Sequence, residues 1–496
     1  MEKSNIEYKE IFKSTAIFAF VRVFQMLIGI VRNKLVAIIL GPSGIGILQI
    51  FDKTTELIKK GAGLGISQSA LRDISVAKNT SNSRLFSDTY IAVRRITVFT
   101  GSLGVIITIL LSPFLSKWTC GDSNHIYAYI CLSSLVFFNI FSEIQLSILK
   151  GVRFQRALAY ASIAGSLCGL FVSVPIYYFG KEKGIVPAMI IQSLVNAFVT
   201  NWFVCKIKYI KCSQTIKQTL DITQPMIKVG VILVFVGVLD SLFAVILSSF
   251  LRNYGGFETV GFYQAGYTLI YSYFGIIVTS LSMDYYPRVS AVNSNNKLVA
   301  NEYNKQVQIG LMFILPLASL FVYFAPIVIS LLYTEEFLIV IEFVDYAILG
   351  AVLAIVAECL RIILVAKQVA KMYATISLIL KACFLPLYML LFIMWGLKGL
   401  GIAYLLDNII QVFTYSVING KRYNIKLNKK SVLLLIITLI SIIIIHVIRV
   451  LSNVYVSYIL GFIMISCIFL YSNHNFKLLM GDSLLTILAR KMKIKK

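Results

Sequence analysis

The segment Gln49-IFDKTTELIKKGAG-Leu64 places five charges, Asp52, Lys53, Glu56, Lys59 and Lys60, within nine residues of a chain that is otherwise largely apolar. Read as a loop, it separates two hydrophobic runs; read as a helix, it carries its charges into a bilayer. On a helical wheel Gln49, Lys53, Glu56, Lys60 and Ser67 fall within about 40° of one direction, with Asp52 and Gly63 on the border. Ile50, Leu57, Ile58 and Leu64 occupy the opposite face, so the spacing predicts an amphipathic helix within a span over 43–70. A charge near mid-bilayer costs about 2.5–3.5 kcal/mol on insertion scales. Two readings of the polar stripe stay open. Lys53 with Glu56 and Glu56 with Lys60 stand at i,i+3 and i,i+4 and can neutralise each other. Alternatively, the stripe lines a wet cavity.

The surroundings decide between loop and helix. Of 496 residues, 58% are hydrophobic and 14% charged, with a mean hydropathy of +0.84, far from soluble globular composition. Apolar stretches of helical length recur fourteen times, from 14–38 and 43–70 to 431–450 and 454–472, each near the roughly 20 residues a crossing requires. The expectation is an all-α polytopic membrane protein with about 14 spans. No signal-peptide pattern opens it, so the N-terminus is expected to be retained and cytoplasmic. The net charge of +24 would suggest nucleic acid in a soluble protein. Here 35 of the 46 lysines and arginines fall on the segments that this topology makes cytoplasmic. Eight fall outside: Arg32, Lys34, Lys117, Lys181, Lys183, Arg252, Lys398 and Arg449. The basicity is therefore topological, by the positive-inside rule, and places both termini in the cytoplasm. Lys421, Arg422, Lys426, Lys429, Lys430 and the tail Arg490-KMKIKK are also placed to meet anionic headgroups.

A second order appears at a constant shift of 215 positions. Lys13 falls on Lys228, Gly41 on Gly256, Gly46 on Gly261, Gln49 on Gln264 and Ser75 on Ser290. The shift persists further along, with Lys183-Gly184 over Lys398-Gly399 and Ala188 over Ala403. The domain reading is a six-helix bundle over 1–210, a cytoplasmic linker over 211–225 and a second six-helix bundle over 226–423. Two extra transmembrane helices and a basic tail follow over 424–496. An even number of spans separates the halves, which makes them parallel repeats.

Other polar seams share the pattern. Thr15, Arg22, Gln25, Gly29 and Asn33 lie on one face of the first span. Gly237, Ser241 and Ser248, with Asp240 beside them, mark the seventh, and Gln264, Thr268, Tyr271, Gly275, Thr279 and Ser282 mark the eighth. Small-residue helix packing is the alternative for the glycines and serines. Asp240 has no obvious local cation and reads as a functional carboxylate. Glu143, Asp284, Asp407 and the pair Glu358 with Arg361 are further charges in or near spans. Lys381 sits mid-run between Ile376 and Leu391, suited to an anionic substrate, to snorkelling or to a partner on another helix. Cys120 stands alone, the eight cysteines and three histidines form no metal or disulfide pattern, and neither P-loop nor GxSxG elbow is present. An enzyme is not expected, nor any cofactor.

The runs Asn33-KLVAIILGPSGIGILQ-Ile50, Ile148-LKGVRF-Gln155, Thr259-VGFYQAG-Tyr267, Tyr286-PRVS-Ala291 and Leu364-VAKQVAKMY-Ala374 resemble Wzx-type oligosaccharide flippases. That family lies within the multidrug/oligosaccharidyl-lipid/polysaccharide exporter superfamily, and the resemblance covers residues 10–423. Members commonly have twelve spans, so the pair at 431–472 departs from the pattern. The resemblance implies two six-helix bundles in a V shape, with the two C-terminal helices added. It also implies translocation of undecaprenyl-pyrophosphate-linked oligosaccharide, such as an O-antigen unit for lipopolysaccharide, across the inner membrane by alternating access. On that reading Arg22, Arg32 and Lys53 meet the diphosphate, with Lys381 a further cation, and Gln25, Gln264, Tyr267 and Tyr271 meet sugar. Asp52, Glu56 and Asp240 are candidates to couple transport to protons or sodium. Glycan polymerase and chain-length proteins are partners expected by analogy. The competing readings are a drug or metabolite cation antiporter of the same superfamily, which should show an acidic or aromatic cavity, and a membrane glycan-processing enzyme or scaffold, which needs long outer loops.

Overall fold

A computed structural model describes the backbone of residues 2–80, 83–210, 213–451 and 454–480. The side chains of residues 2–20 and of Arg22 lie outside that description, as does the basic tail from Arg490. Every regular element among the described residues is helical. The chain runs through α1 (Glu2–Ala62), α2 (Ile66–Asn79), α3 (Ser83–Leu115), α4 (Ile126–Gly151), α5 (Gln155–Gly180) and α6 (Ile185–Val204). It continues through α7 (Ile216–Tyr267), α8 (Gly275–Ala291), α9 (Asn296–Leu332), α10 (Ile341–Ala366), α11 (Ala370–Tyr423), α12 (Lys429–Val450) and α13 (Val454–Met480).

This is a multi-pass membrane protein: ten helical stretches among the described residues are long and apolar enough to cross a bilayer. Four of them, Phe24–Ala62, Gln155–Val204, Val234–Ala291 and Lys371–Tyr423, run to 39, 50, 58 and 53 residues, well past what one crossing needs. Each is interrupted. Gly41 (φ 64, ψ −170) breaks α1, and Pro42 then opens the next helical segment, where its missing N–H is no loss. Gly256 (φ 74, ψ −179) breaks α7, a 3₁₀ turn over Lys181–Gly184 separates α5 from α6, and Gly396 (φ 58, ψ −137) breaks α11.

These breaks recur 215 residues apart. Gly41 and Gly256 share one unusual backbone conformation. Lys181 (φ 46, ψ −131) matches Gly396, and Arg153 (φ 58) matches Gln368 (φ 59). At the ends of α4 and α10 the amide of Phe154 donates to Leu149 at 3.0 Å and that of Val369 to Leu364 at 3.2 Å, again at the same shift. A repeat that returns φ > 0 at a lysine, an arginine and a glutamine is a repeat of backbone path, because such residues avoid that region unless the surrounding structure demands it.

By contacts the chain divides into unit 1, residues 1–261 with 332–334, and unit 2, residues 262–331 with 335–496. This grouping follows packing rather than duplication. The first half of α7 joins unit 1 because Lys60 Nζ donates to Ser241 Oγ at 2.8 Å and Arg252 Nε donates to the Thr119 carbonyl at 3.0 Å. Lys34 donates to the Tyr333 carbonyl, which draws 332–334 into the same unit. In the turn before α4, the His125 ring 2.8 Å from Asp122 holds that carboxyl below the usual carboxylate range. Inside unit 1, α5 and α6 pack through Gly165 and Gly169, one turn apart, whose bare backbones lie against Asn196 and Gln192. Close approach of this kind, rather than a hydrophobic drive, is what joins helices already in lipid.

In unit 2 the C-terminal pair is fastened to α9 and α10 by polar contacts. Asn428 caps α12 by accepting from the Ser431 amide at 2.7 Å, and its own amide donates to Asn304 Oδ1 at 2.8 Å. Gln308 Nε2 donates to Ser431 Oγ at 2.9 Å, and Ser472 Oγ donates to the Met312 carbonyl at 2.6 Å. At the other end of α12, Arg449 Nη2 lies 2.7 Å from Asp345 Oδ2, both side chains being 12% exposed, and Nη1 donates to the Val322 carbonyl at 2.8 Å. Arginine cannot shed its charge, so Asp345→Leu leaves a cation buried without its carboxylate. That variant is expected to destabilise the detergent-solubilised protein by about 3–5 kcal/mol. Asp345→Leu combined with Arg449→Leu should return much of the loss. Thermal unfolding followed by size-exclusion chromatography checks both.

Candidate functional site

The part of α1 beyond Gly41 carries the charged segment through unit 1. Glu56 accepts Lys60 Nζ on Oε1 at 2.9 Å, while Lys53 Nζ stands 3.9 Å from Oε2. Both pairs follow from helical spacing alone. The neighbouring helices could not be read that way. Lys59 Nζ reaches Glu143 of α4 at 3.2 Å, and Lys60 bridges from Glu56 to Ser241 of α7. Asp52 is exposed, within electrostatic range of Lys53, Arg32 and Lys59. Four cations, Arg32, Lys53, Lys59 and Lys60, thus gather around three acids, Asp52, Glu56 and Glu143, in a layer threaded between α4 and α7.

The wheel read from the sequence needs one revision. Leu64 (φ 50) and Gly65 (φ 64) break the helix after Ala62, so Ser67 belongs to α2 and not to the stripe. Its hydroxyl donates to Glu143 Oε1 at 2.9 Å, which returns it to the same charge layer by another route. Unit 2 repeats the motif at the 215 shift, where Ser282 Oγ donates to Glu358 Oε1 at 3.4 Å. There the acid pairs with Arg361 on its own helix, as its spacing predicts. Gln49 is buried at 5% exposure, off the wet edge, and its amide nitrogen makes no hydrogen bond.

Gln25 Nε2 donates to the Ser162 carbonyl of α5 at 3.4 Å, a helix-packing contact. Asp240 is exposed on α7, next to the serine that accepts Lys60. Arg22 lies outside the described side chains. Arg32, Lys53, Asp52 and Glu56 are therefore brought together in unit 1, with Asp240 one residue from the Lys60 contact.

Gln264, Tyr267, Tyr271 and Lys381 belong to unit 2. Between α7 and α8 the helix loosens into a π-helical segment over Thr268–Phe274. Such segments are rare and cluster at functional places. Gln264 Nε2 donates to Thr268 Oγ1 at 3.0 Å at its entry. Tyr267 and Tyr271 stack with ring centroids 4.8 Å apart and planes 14° apart, and Tyr263 follows 6.0 Å from Tyr267. The break at Gly396 folds α11 into a hairpin. Its second arm carries Asp407, which accepts Gln411 Nε2 at 2.6 Å, the Tyr388 hydroxyl from the first arm at 3.5 Å, and the field of Lys381. Lys381 thus has an acidic neighbour 26 residues on, outside any helical spacing.

A family model for polysaccharide biosynthesis proteins matches residues 35–342. Among solved structures, the lipid II flippase MurJ in an inward closed conformation aligns with a TM-score of 0.65 at 15% identity, over 94% of this chain and 99% of that one. An inward-facing multidrug resistance MATE family transporter of the MOP superfamily gives 0.63 at 16% identity, over 82% and 98%. A MOP superfamily transporter from Pyrococcus furiosus gives 0.59 at 15%, over 83% and 96%. At these identities the likeness is one of fold. No curated protein matches the sequence.

Proposed function

The chain belongs to the polysaccharide biosynthesis protein family, and from that premise we propose that it is a flippase for an undecaprenyl-pyrophosphate-linked oligosaccharide. The cargo is an O-antigen or related surface-polysaccharide repeat unit, carried from the cytoplasmic to the periplasmic leaflet of the inner membrane by alternating access, with both termini cytoplasmic. The observation that carries the reading is the charge layer of α1. Four cations around three acids within membrane-spanning helices make little sense facing lipid, and they suit a diphosphate headgroup entering a wet cavity. Lys60 is engaged by Glu56 and Ser241, Lys59 by Glu143, and Lys53 stands 3.9 Å from Glu56. Lys53 and Arg32 are the cations proposed to meet the diphosphate.

Arg22, from the same α1, adds a third cation to this reading. Asp52, Glu56 and Asp240 are the carboxylates proposed to couple the cycle to protons or sodium, and glycan polymerase and chain-length proteins are proposed as assembly partners. A cation-exporting antiporter would favour an excess of acids in this layer, and the excess is of cations. Deletion of the gene in its host tests the proposal. Surface glycan is expected to fall more than tenfold while lipid-linked units accumulate on the cytoplasmic side, with restoration by the intact gene. Undiminished surface glycan without accumulation would refute it.

A further inference from the structure

We infer that the cavity enclosed in unit 1 by the end of α2, the start of α3 and residues 208–210 is a binding site for a phosphate-bearing anion, which an anionic phospholipid presents at that depth. The site shares no residue with the charge layer of α1 and does not rest on the flippase reading.

The cavity has a volume of about 320 Å³, and Lys78, Ser83, Phe86, Ser87, Lys208 and Tyr209 are among the residues that line it. Direct contacts join its walls. The Ile210 amide donates to Ser87 Oγ at 2.9 Å, Tyr209 meets Tyr90 of α3 with ring centroids 4.6 Å apart, and Lys78 Nζ stands 5.2 Å from the centre of the Phe86 ring. Lys78 and Lys208 are exposed whereas Phe86 and Ser87 are buried, so the cavity has a cationic mouth over an aromatic and hydroxyl floor. Two membrane stretches fix its depth: Ser83–Cys120 begins at the cavity, and Gln155–Val204 ends just short of it. A few residues earlier in the chain Trp202 is 54% exposed, with Lys206 Nζ 3.6 Å from its ring centroid. An exposed tryptophan beside a snorkelling lysine marks the level of the lipid headgroups.

The chemical class follows from a repeat-related cavity in unit 2. At the 215 shift Ala77 falls on Val292, Ser83 on Leu298, Phe86 on Asn301 and Ser87 on Glu302, and these four residues of unit 2 line a cavity of about 310 Å³. There Glu302 accepts Arg288 on one oxygen and Lys305 on the other at 3.2 Å, so that cavity carries its own anion. Unit 1 has Ser87 at the position of Glu302, and the described residues lining its cavity include two lysines and no acid. Asp88, next along α3, accepts Gln214 Nε2 at 3.2 Å. The duplicated fold thus keeps the cavity and drops the internal counter-ion, which leaves an anion from outside to balance Lys78 and Lys208. Lysine serves phosphate as a point charge, and a basic pocket between membrane helices suits an anionic lipid headgroup.

Equilibrium binding of phosphatidylglycerol to the full chain in a neutral detergent, followed by native mass spectrometry, tests the inference. Lys78→Gln and Lys208→Gln are each expected to weaken binding about fivefold, and both substitutions, being exposed, should leave the unfolding temperature unchanged. Ser87→Glu, which copies Glu302 of unit 2, should abolish binding. Lys305→Gln removes the same charge from the unit 2 cavity and should leave binding as it was. Inorganic phosphate used in place of the lipid distinguishes the source: the same losses with phosphate alone would keep the site and name a soluble phosphate as its occupant. Undiminished binding of both probes in Lys78→Gln and Lys208→Gln, or an equal loss in Lys305→Gln, would overturn the inference. None of these readouts involves transport, so the flippase reading stands or falls separately.

Discussion

Replacing Gly46 by valine is expected to prevent folded protein from accumulating. A Cβ at Gly46 would overlap the Phe257 carbonyl, and a Cβ at Gly261 would overlap the Pro42 carbonyl. The two contacts are reciprocal at the 215 shift, as two equivalent helices crossing about a local two-fold would make them. Overpacking costs about 1–3 kcal/mol where side chains can move aside. Here both partners are main chain and no rotamer relieves them, so about 3 kcal/mol or more is expected, a large share of the 5–15 kcal/mol that stabilises a typical protein. Gly29 offers the control, since nothing lies within 4 Å of a Cβ built there. Gly29→Ala should express and elute normally, whereas Gly46→Val and Gly261→Val should shift to aggregate in size-exclusion chromatography. For the milder Gly46→Ala and Gly261→Ala, the double variant should lose less than the sum of the singles, because one displacement opens the crossing for both. Strict additivity would mean that the two sites do not share a contact.

Lys53→Gln is expected to cut transport of lipid-linked glycan by ten- to a hundredfold while leaving thermal stability within a few degrees. A hydrogen bond to a charged group contributes about 1.5–3 kcal/mol, and that range corresponds to the stated loss if the contact forms on the diphosphate during transport. The stability half of the expectation rests on the Lys53–Glu56 pair, which at 3.9 Å and partly exposed contributes little. Lys60→Gln should behave differently, since it removes both the 2.9 Å pair with Glu56 and the 2.8 Å bond to Ser241, and it should lower stability and transport together. Normal transport by Lys53→Gln in proteoliposomes, at matched protein amounts, would end the assignment of this lysine to the substrate.

Much of this architecture could be read before any coordinates. Lys53, Glu56 and Lys60 pair as their spacing requires, as do Glu358 and Arg361, because residues three and four apart meet on any helix. The repeat sets Gly41 over Gly256, but that φ turns positive and breaks the helix at both appears only in the structure. Other features resisted. A helical wheel sets Ser67 on the charged stripe because it assumes an unbroken helix, and Leu64 and Gly65 break that helix.

What the sequence by itself determined is whatever depends on local geometry and on solvent: an all-helical, multi-pass chain, a duplicated backbone path, and which charges share a helix face. Tertiary structure alone decided which helices are neighbours. That choice joined Lys59 to Glu143, Lys60 to Ser241, Asp407 to Tyr388 and Lys381, and Arg449 to Asp345. The physical reason is that lipid exerts no hydrophobic pressure to bring one particular pair of helices together, so adjacency rests on close backbone packing at glycines and on polar partners found across large separations in the chain.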